Sequence, residues 1–156
     1  MSYPKVKEYL ESIGFGDKIT VHADTCDTVE HAAQMIGCEP KQIAKTMSFL
    51  VEEQPIVIVC AGDAKVDNAK YKAFFGKKAK MVPWGEVESV IGHEPGGVCA
   101  FGLNEGVKPY LDVSLKRFDK VYSAAGAENC TCCLTVPELE TATGFAEWID
   151  VCKDWN

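Results

Sequence analysis

Apolar residues recur along this 156-residue chain at two spacings, three to four positions in some stretches and two in others. The switches between them divide it into helices and strands. In PKVKEYLESIG (4–14) Val6, Tyr9, Leu10 and Ile13 keep a helical spacing that Gly14 closes. KITVHA reads as a short strand. DTVEHAAQMIG reads as a helix that opens with Asp27 and Glu30 at capping-box spacing and ends at Gly37. AKTMSFLV and PIVIVCAG are strands joined by the polar EEQ, a hairpin pattern, and the second is apolar at consecutive positions, which requires cover on both faces.

Farther along, VDNAKYKAFFG is a helix with Asp67 as its cap, KKAKMV a short strand, and PWGEVESVIG a helix starting at Pro83. VKPYLDVSL, KVYSAAG and CTCCLTV follow as strands, then the helix PELETAT; FAEWIDVC fits a strand or a helix. Several strands adjoin without a helix between them. That order predicts an α/β chain of the mixed α+β kind, a single domain over 1–156 with a curled, barrel-like mixed sheet and helices outside it.

One strand breaks its own pattern. Residues two apart share a face, so Lys45 falls in line with Met47, Phe49 and Val51. An unpaired buried ammonium is costly. Lys45 therefore snorkels to water, pairs with an acid such as Asp112, lies on an exposed stripe, or points into a ligand cavity where an anion or a reacting carbonyl completes its surroundings. His22 in TVHAD is open in the same way, between a satisfied structural histidine and a site residue.

The stretch GHEPGGVCAFG (92–102) packs four glycines into eleven residues. Glycine loses the most conformational freedom on folding, so such a cluster implies a sharp bend or a close approach to the backbone. Cys99 within it is a candidate nucleophile, but no base is placed for it by spacing.

Composition narrows the classes. The net charge of −7 argues against a surface coated by nucleic acid, yet residues 65–80 hold six lysines against Asp67 alone, a local patch suited either to solvent or to a phosphate backbone. No run is long and apolar enough for a membrane span, and no signal-peptide series opens the chain, so a cytoplasmic protein without membrane association is expected. Reduced thiols are then the default for the eight cysteines. Cys130, Cys132 and Cys133 lack the second knuckle of a structural zinc site and read as strand residues alternating between faces, so no metal or cofactor is expected.

IAKTMSFL with Lys45, PIVIVCAGDAKVD, GHEPGGVCAFG and YLDVSLKRFDKVYSAAG come in the order and approximate spacing of the YbaK/EbsC family, which the chain resembles from about residue 20 to 140. Those proteins are trans-editing deacylases related to the editing insert of bacterial prolyl-tRNA synthetase. The resemblance implies hydrolysis of the ester of a mischarged tRNA, a tRNA for proline above all, without metal or covalent intermediate. It maps the family lysine onto Lys45 and the glycine-rich G-x-x-x-P loop onto Gly96, Gly97, Val98, Cys99 and Ala100, with Ala100 where the family has proline and Cys99 where it commonly has serine. Substrate contacts are expected from that loop, continuing through Phe101 and Gly102, and from His22, Asp112 and Thr131. The expected partners are the acceptor end of tRNA and, beyond it, prolyl-tRNA synthetase. Lys65, Lys70, Lys72, Lys77 and Lys78 become candidate contacts for the acceptor stem. Two other classes stay open: a non-catalytic module binding a tRNA end, nucleotide or amino-acid derivative, and a thiol redox or metal protein built on Cys130, Cys132 and Cys133.

Overall fold

The computed structural model describes residues 3–25, 28–95 and 97–155. Helix α1 (Tyr3–Ser12) buries Val6 and Leu10, and Gly14 ends it in the left-handed region. After β1 (Ile19–Val21) comes α2 (Val29–Ile36), whose cap is Thr28, its hydroxyl accepting from the His31 amide; Asp27, expected as the cap, lies outside the described residues. Strands β2 (Ile43–Val51) and β3 (Gln54–Ala61) form the expected antiparallel hairpin, followed by β4 (Lys65–Val66). Helix α3 (Asn68–Phe75) is capped by Asp67, which accepts from Ala69 and Lys70, and Gly76 closes it. The chain continues with α4 (Val87–Ile91), β5 (Lys108–Asp112), β6 (Lys120–Ala127), β7 (Cys130–Thr135), α5 (Val136–Ala142), β8 (Glu147–Ile149) and β9 (Cys152–Lys153).

Among the described residues the main sheet is mixed, in the order β1-β7-β6-β2-β3-β5-β8, with β4 and β9 paired separately. β3 lies between antiparallel β2 and parallel β5. Its residues Ile56 to Ala61 are 0–1% exposed, so the consecutive apolar positions meet cover on both faces. Each fully buried Val or Ile there contributes about 1.5–3 kcal/mol.

Three local expectations change, and one open reading is resolved. KKAKMV is not a strand: it touches β2 through one bridge, Phe49 to Met81, because Lys77, Lys78 and Lys80 keep their side chains in water and Pro83 follows at once. PWGEVESVIG begins with a 3₁₀ turn at Trp84–Glu86 before α4. VKPYLDVSL stops being a strand at Asp112, whose carboxylate accepts from the Ser114 amide and caps a 3₁₀ turn over Val113–Arg117. The tail resolves into the strands β8 and β9.

Asp112 is 0% exposed, and its second oxygen accepts from the Val151 amide at 2.9 Å. Asparagine there keeps one acceptor and faces an N–H donor with an NH₂ group. Asp112→Asn is expected to lose about 1–3 kcal/mol, read as a lower melting temperature by circular dichroism, and unchanged melting would contradict this bonding.

The hairpin β6–β7 carries an irregularity between Ala124 and Ala127. Gly126 within it has φ +93°, and a Cβ there would meet the Tyr3 backbone at 3.0 Å. From the other side Gly97 comes so close that its own Cβ would lie 2.8–3.0 Å from Gly126 and Ala127 backbone atoms. Three segments thus come together closely, the start of α1, the irregular segment of β6 and the glycine loop, with the Val6 side chain also at 2.9 Å from where a Cβ of residue 126 would lie.

Candidate functional site

A cavity of about 680 Å³ lies beside this junction, lined by Val98 and Ala127, the chain neighbours of Gly97 and Gly126. Helix α2 lines it through Val29, Ala32 and Ile36, and the sheet through Ala124 and Ala127 of β6 with Cys130 and Thr131 of β7. Residues Ile43 to Ser48 of β2 form its floor, and Val98 and Pro95 enter from the glycine loop. Met81 and Trp84 stand at its edge, 55% and 77% exposed.

The lining is mainly apolar, and its charged side chains among the described residues are Lys45 and Glu128. Lys45 is half-buried on β2, and its Nζ donates to the Gly62 carbonyl at 3.4 Å. The expected partnership with Asp112 is not made, because that carboxylate is committed to Ser114 and Val151. Gly62 has no room for a side chain: a Cβ would overlap the Pro40 carbonyl oxygen and lie 2.8 Å from Val29 Cγ1. The residue whose carbonyl holds Lys45 is thereby packed tightly against Pro40 and the first residue of α2. Next to it, Asp63 is gripped by both terminal nitrogens of Arg117, which holds its carboxyl below the ordinary carboxylate range.

His22 and Thr131 come together, with Nε2 2.8 Å from Oγ1. Thr131 is on the cavity wall and the imidazole stands behind its hydroxyl, fixing its direction. Asp112 does not line the cavity.

The glycine loop divides. Val98 faces the cavity, and Gly97 packs against β6 with its amide donating to Glu94 at 3.0 Å. Cys99, Ala100 and Phe101 turn their side chains into the core, 0–5% exposed, so any contact from them to a ligand in the cavity is left to their backbone groups. Gly102 takes a positive φ of +62° beside Lys5, and Gly96 lies outside the described residues. Burial pushes the Cys99 thiol up to about 12, which keeps it protonated and removes it as a nucleophile.

His93 closes the loop from inside. Its Nε2 donates to the Phe101 carbonyl at 2.6 Å, which leaves Nδ1 buried without a partner. Burial, with the Lys5 charge adding to it, lowers the imidazole pKa. The native state then binds fewer protons than the unfolded chain below pH ~6.5, so stability falls as pH drops through that value. Urea midpoints should decline between pH 7 and 5, and less so in His93→Gln, which keeps a donor to Phe101 but does not titrate; equal declines would exclude this histidine as the cause.

The lysine patch also divides. Lys70 is tied to Asp150 at 3.1 Å and to the Cys152 carbonyl at 2.9 Å, and Lys77 pairs with Glu52 at 3.2 Å. Lys72 and Lys78 are exposed and line no cavity described here, whereas Lys65 borders a second, smaller pocket that also contains Lys45. Cys130 and Cys132 are buried, with Cys130 on the cavity wall and Cys133 half-buried. No group of three metal-ligating side chains is found among the described residues, and no helix there is long and apolar enough to cross a membrane.

The α2 wall and the Trp84–Met81 edge are not legible in the sequence. The apolar stripe of α2 was visible as a helix face, but nothing local shows that a face covers a cavity rather than solid core. Trp84 beside Pro83 in a polar stretch was the available signal.

Residues 23–142 match the family profile described as an aminoacyl-tRNA editing domain. The protein YwhH of Bacillus subtilis (strain 168), uncharacterized by its name, is 46% identical over 157 residues, covering all of both chains. The proline–tRNA ligase of Streptococcus mutans is 23% identical over 155 residues, 98% of this chain and 25% of the ligase. A solved structure described as a candidate trans-editing enzyme for prolyl tRNA synthetase superposes with a TM-score of 0.88 at 29% identity, over 97% of each chain.

Proposed function

Because the chain belongs to the aminoacyl-tRNA editing domain family, we propose that it is a hydrolase acting in trans on the ester between a mischarged amino acid and the 3′ end of tRNA, with a tRNA for proline as its substrate. The observation that carries this reading is the apolar cavity with the ammonium of Lys45 at its floor. An aminoacyl ester joins the carboxyl group of an amino acid to the terminal ribose; the α-amino group is cationic, and the nearest negative charge is the phosphate on the 5′ side of that ribose. The walls offer Val29, Ala32, Ile36 and Val98 to the amino acid, Lys45 to the phosphate or the ester oxygen, and the exposed ring of Trp84 to the terminal base.

The chemistry needs no side-chain attacker. The ester is already activated, so a water held against it and fixed positive charge where the oxyanion develops suffice. Cys99 is excluded by burial, and the Cys130 thiol on the wall is also pushed up by burial, so neither supplies a thiolate. The Thr131 hydroxyl, fixed by His22, is placed to orient the amino acid or the attacking water.

The test is a panel of mischarged tRNAs, alanyl- and cysteinyl-tRNA for proline included, followed for loss of the ester. Cleavage above the buffer rate is expected for at least one. Failure with every member of the panel would overturn the proposal, and saturable tRNA binding without turnover would identify a binding module instead.

A further inference from the structure

Beside the main cavity lies a pocket of about 300 Å³ that shares Lys45, Met47 and Met81 with it. Its own part of the lining includes Lys65, Asn68 and Phe49. Two lysines and an asparagine thus line the pocket together with apolar residues, and among the described residues no carboxylate lines it. The nearby acid, Asp67, is occupied in capping α3.

Lys65 differs from its neighbours in the patch. Its backbone is fixed in β4, paired with Lys153 of β9, while its side chain stays exposed. Lys70 and Lys77 spend their charge on Asp150 and Glu52.

We propose that this pocket is a second binding site, for the phosphodiester one nucleotide before the ester, held between Lys45 and Lys65 with the preceding base against the apolar floor. Cationic groups beside apolar surface are what a single-stranded nucleic acid requires. A strand whose terminal nucleotide fills the main cavity crosses Met81 to reach the pocket. The proposal rests on the hydrolase reading, and it reduces a broad basic patch to one lysine that works with Lys45.

The experiment compares two substrates, an aminoacyl-tRNA and the same amino acid on adenosine, which has no 5′ phosphate. Lys65→Ala is expected to raise KM for the tRNA about three- to fivefold with kcat unchanged. It should also reduce the slope of log affinity against log salt by about 0.7, and leave the adenosine ester unaffected. Lys7→Ala, an exposed lysine on α1, is the control and should change neither. Equal effects of Lys65→Ala on both substrates, or none on the tRNA, would overturn the pocket. If the wild-type protein cleaves neither ester, the hydrolase reading has failed. The pocket is then judged on anisotropy binding of uncharged tRNA, where Lys65→Ala must weaken binding and Lys7→Ala must not.

Discussion

Lys45→Ala is expected to lower kcat/KM for a mischarged tRNA by about 10²–10³-fold, with the melting temperature within about 4 °C of wild type. The two parts have separate causes. Lys45 is half-buried and makes one long hydrogen bond, to Gly62 at 3.4 Å, so its loss leaves a single carbonyl short of a donor and costs under about 1 kcal/mol. In the cavity, by contrast, it is the positive charge available to an anionic ligand. Lys45→Arg should not restore full activity, because a planar guanidinium presents its donors in a fixed fork where the ammonium is a compact point charge. Steady-state deacylation with the two variants decides the matter, and an alanine variant as active as wild type would remove Lys45 from the mechanism.

Gly62→Ala is the second large effect, on stability and activity together. The added methyl would overlap the Pro40 carbonyl oxygen and press on Val29 Cγ1 at 2.8 Å. A backbone oxygen cannot rotate aside, so the chain must shift, and the cost falls at the upper end of overpacking, about 3 kcal/mol. For a chain of this size that is a melting temperature lower by about 6–12 °C. The segments forced apart are those that form the site: Val29 is on the wall, Pro40 leads into β2, and the Gly62 carbonyl holds Lys45. Activity should therefore fall well below wild type even at temperatures where the variant is fully folded. A variant that melts and cleaves like wild type would show that the close approach is not obligatory.

What could be read from the chain beforehand was whatever its signals carry locally. The β2–β3 hairpin, the Asp67 cap of α3 and the buried character of β3 each depend on residues within a few positions, and each is found. The face of Lys45 was legible for the same reason, since strand periodicity is local. Partners distant in sequence were not. Asp112 looked free to serve Lys45 or a ligand, and its carboxylate in fact accepts from an amide thirty-nine positions away. The glycine loop was taken to be bare for a ligand, whereas Gly97 is bare for the chain itself, at Gly126 and Ala127. A glycine reports that something comes close, and only the fold tells what.

That junction of three segments also decides where the substrate range of this scaffold can change. Enlarging a residue at Gly97 or Gly126 drives one main chain into another, so the support behind Val98 and Ala127 tolerates no added side chain. Val29, Ala32, Ile36 and Val98 line the chamber itself. Divergence among descendants of this architecture, or a designer's library aimed at a new amino acid, works through lining positions of that kind and leaves the glycines alone.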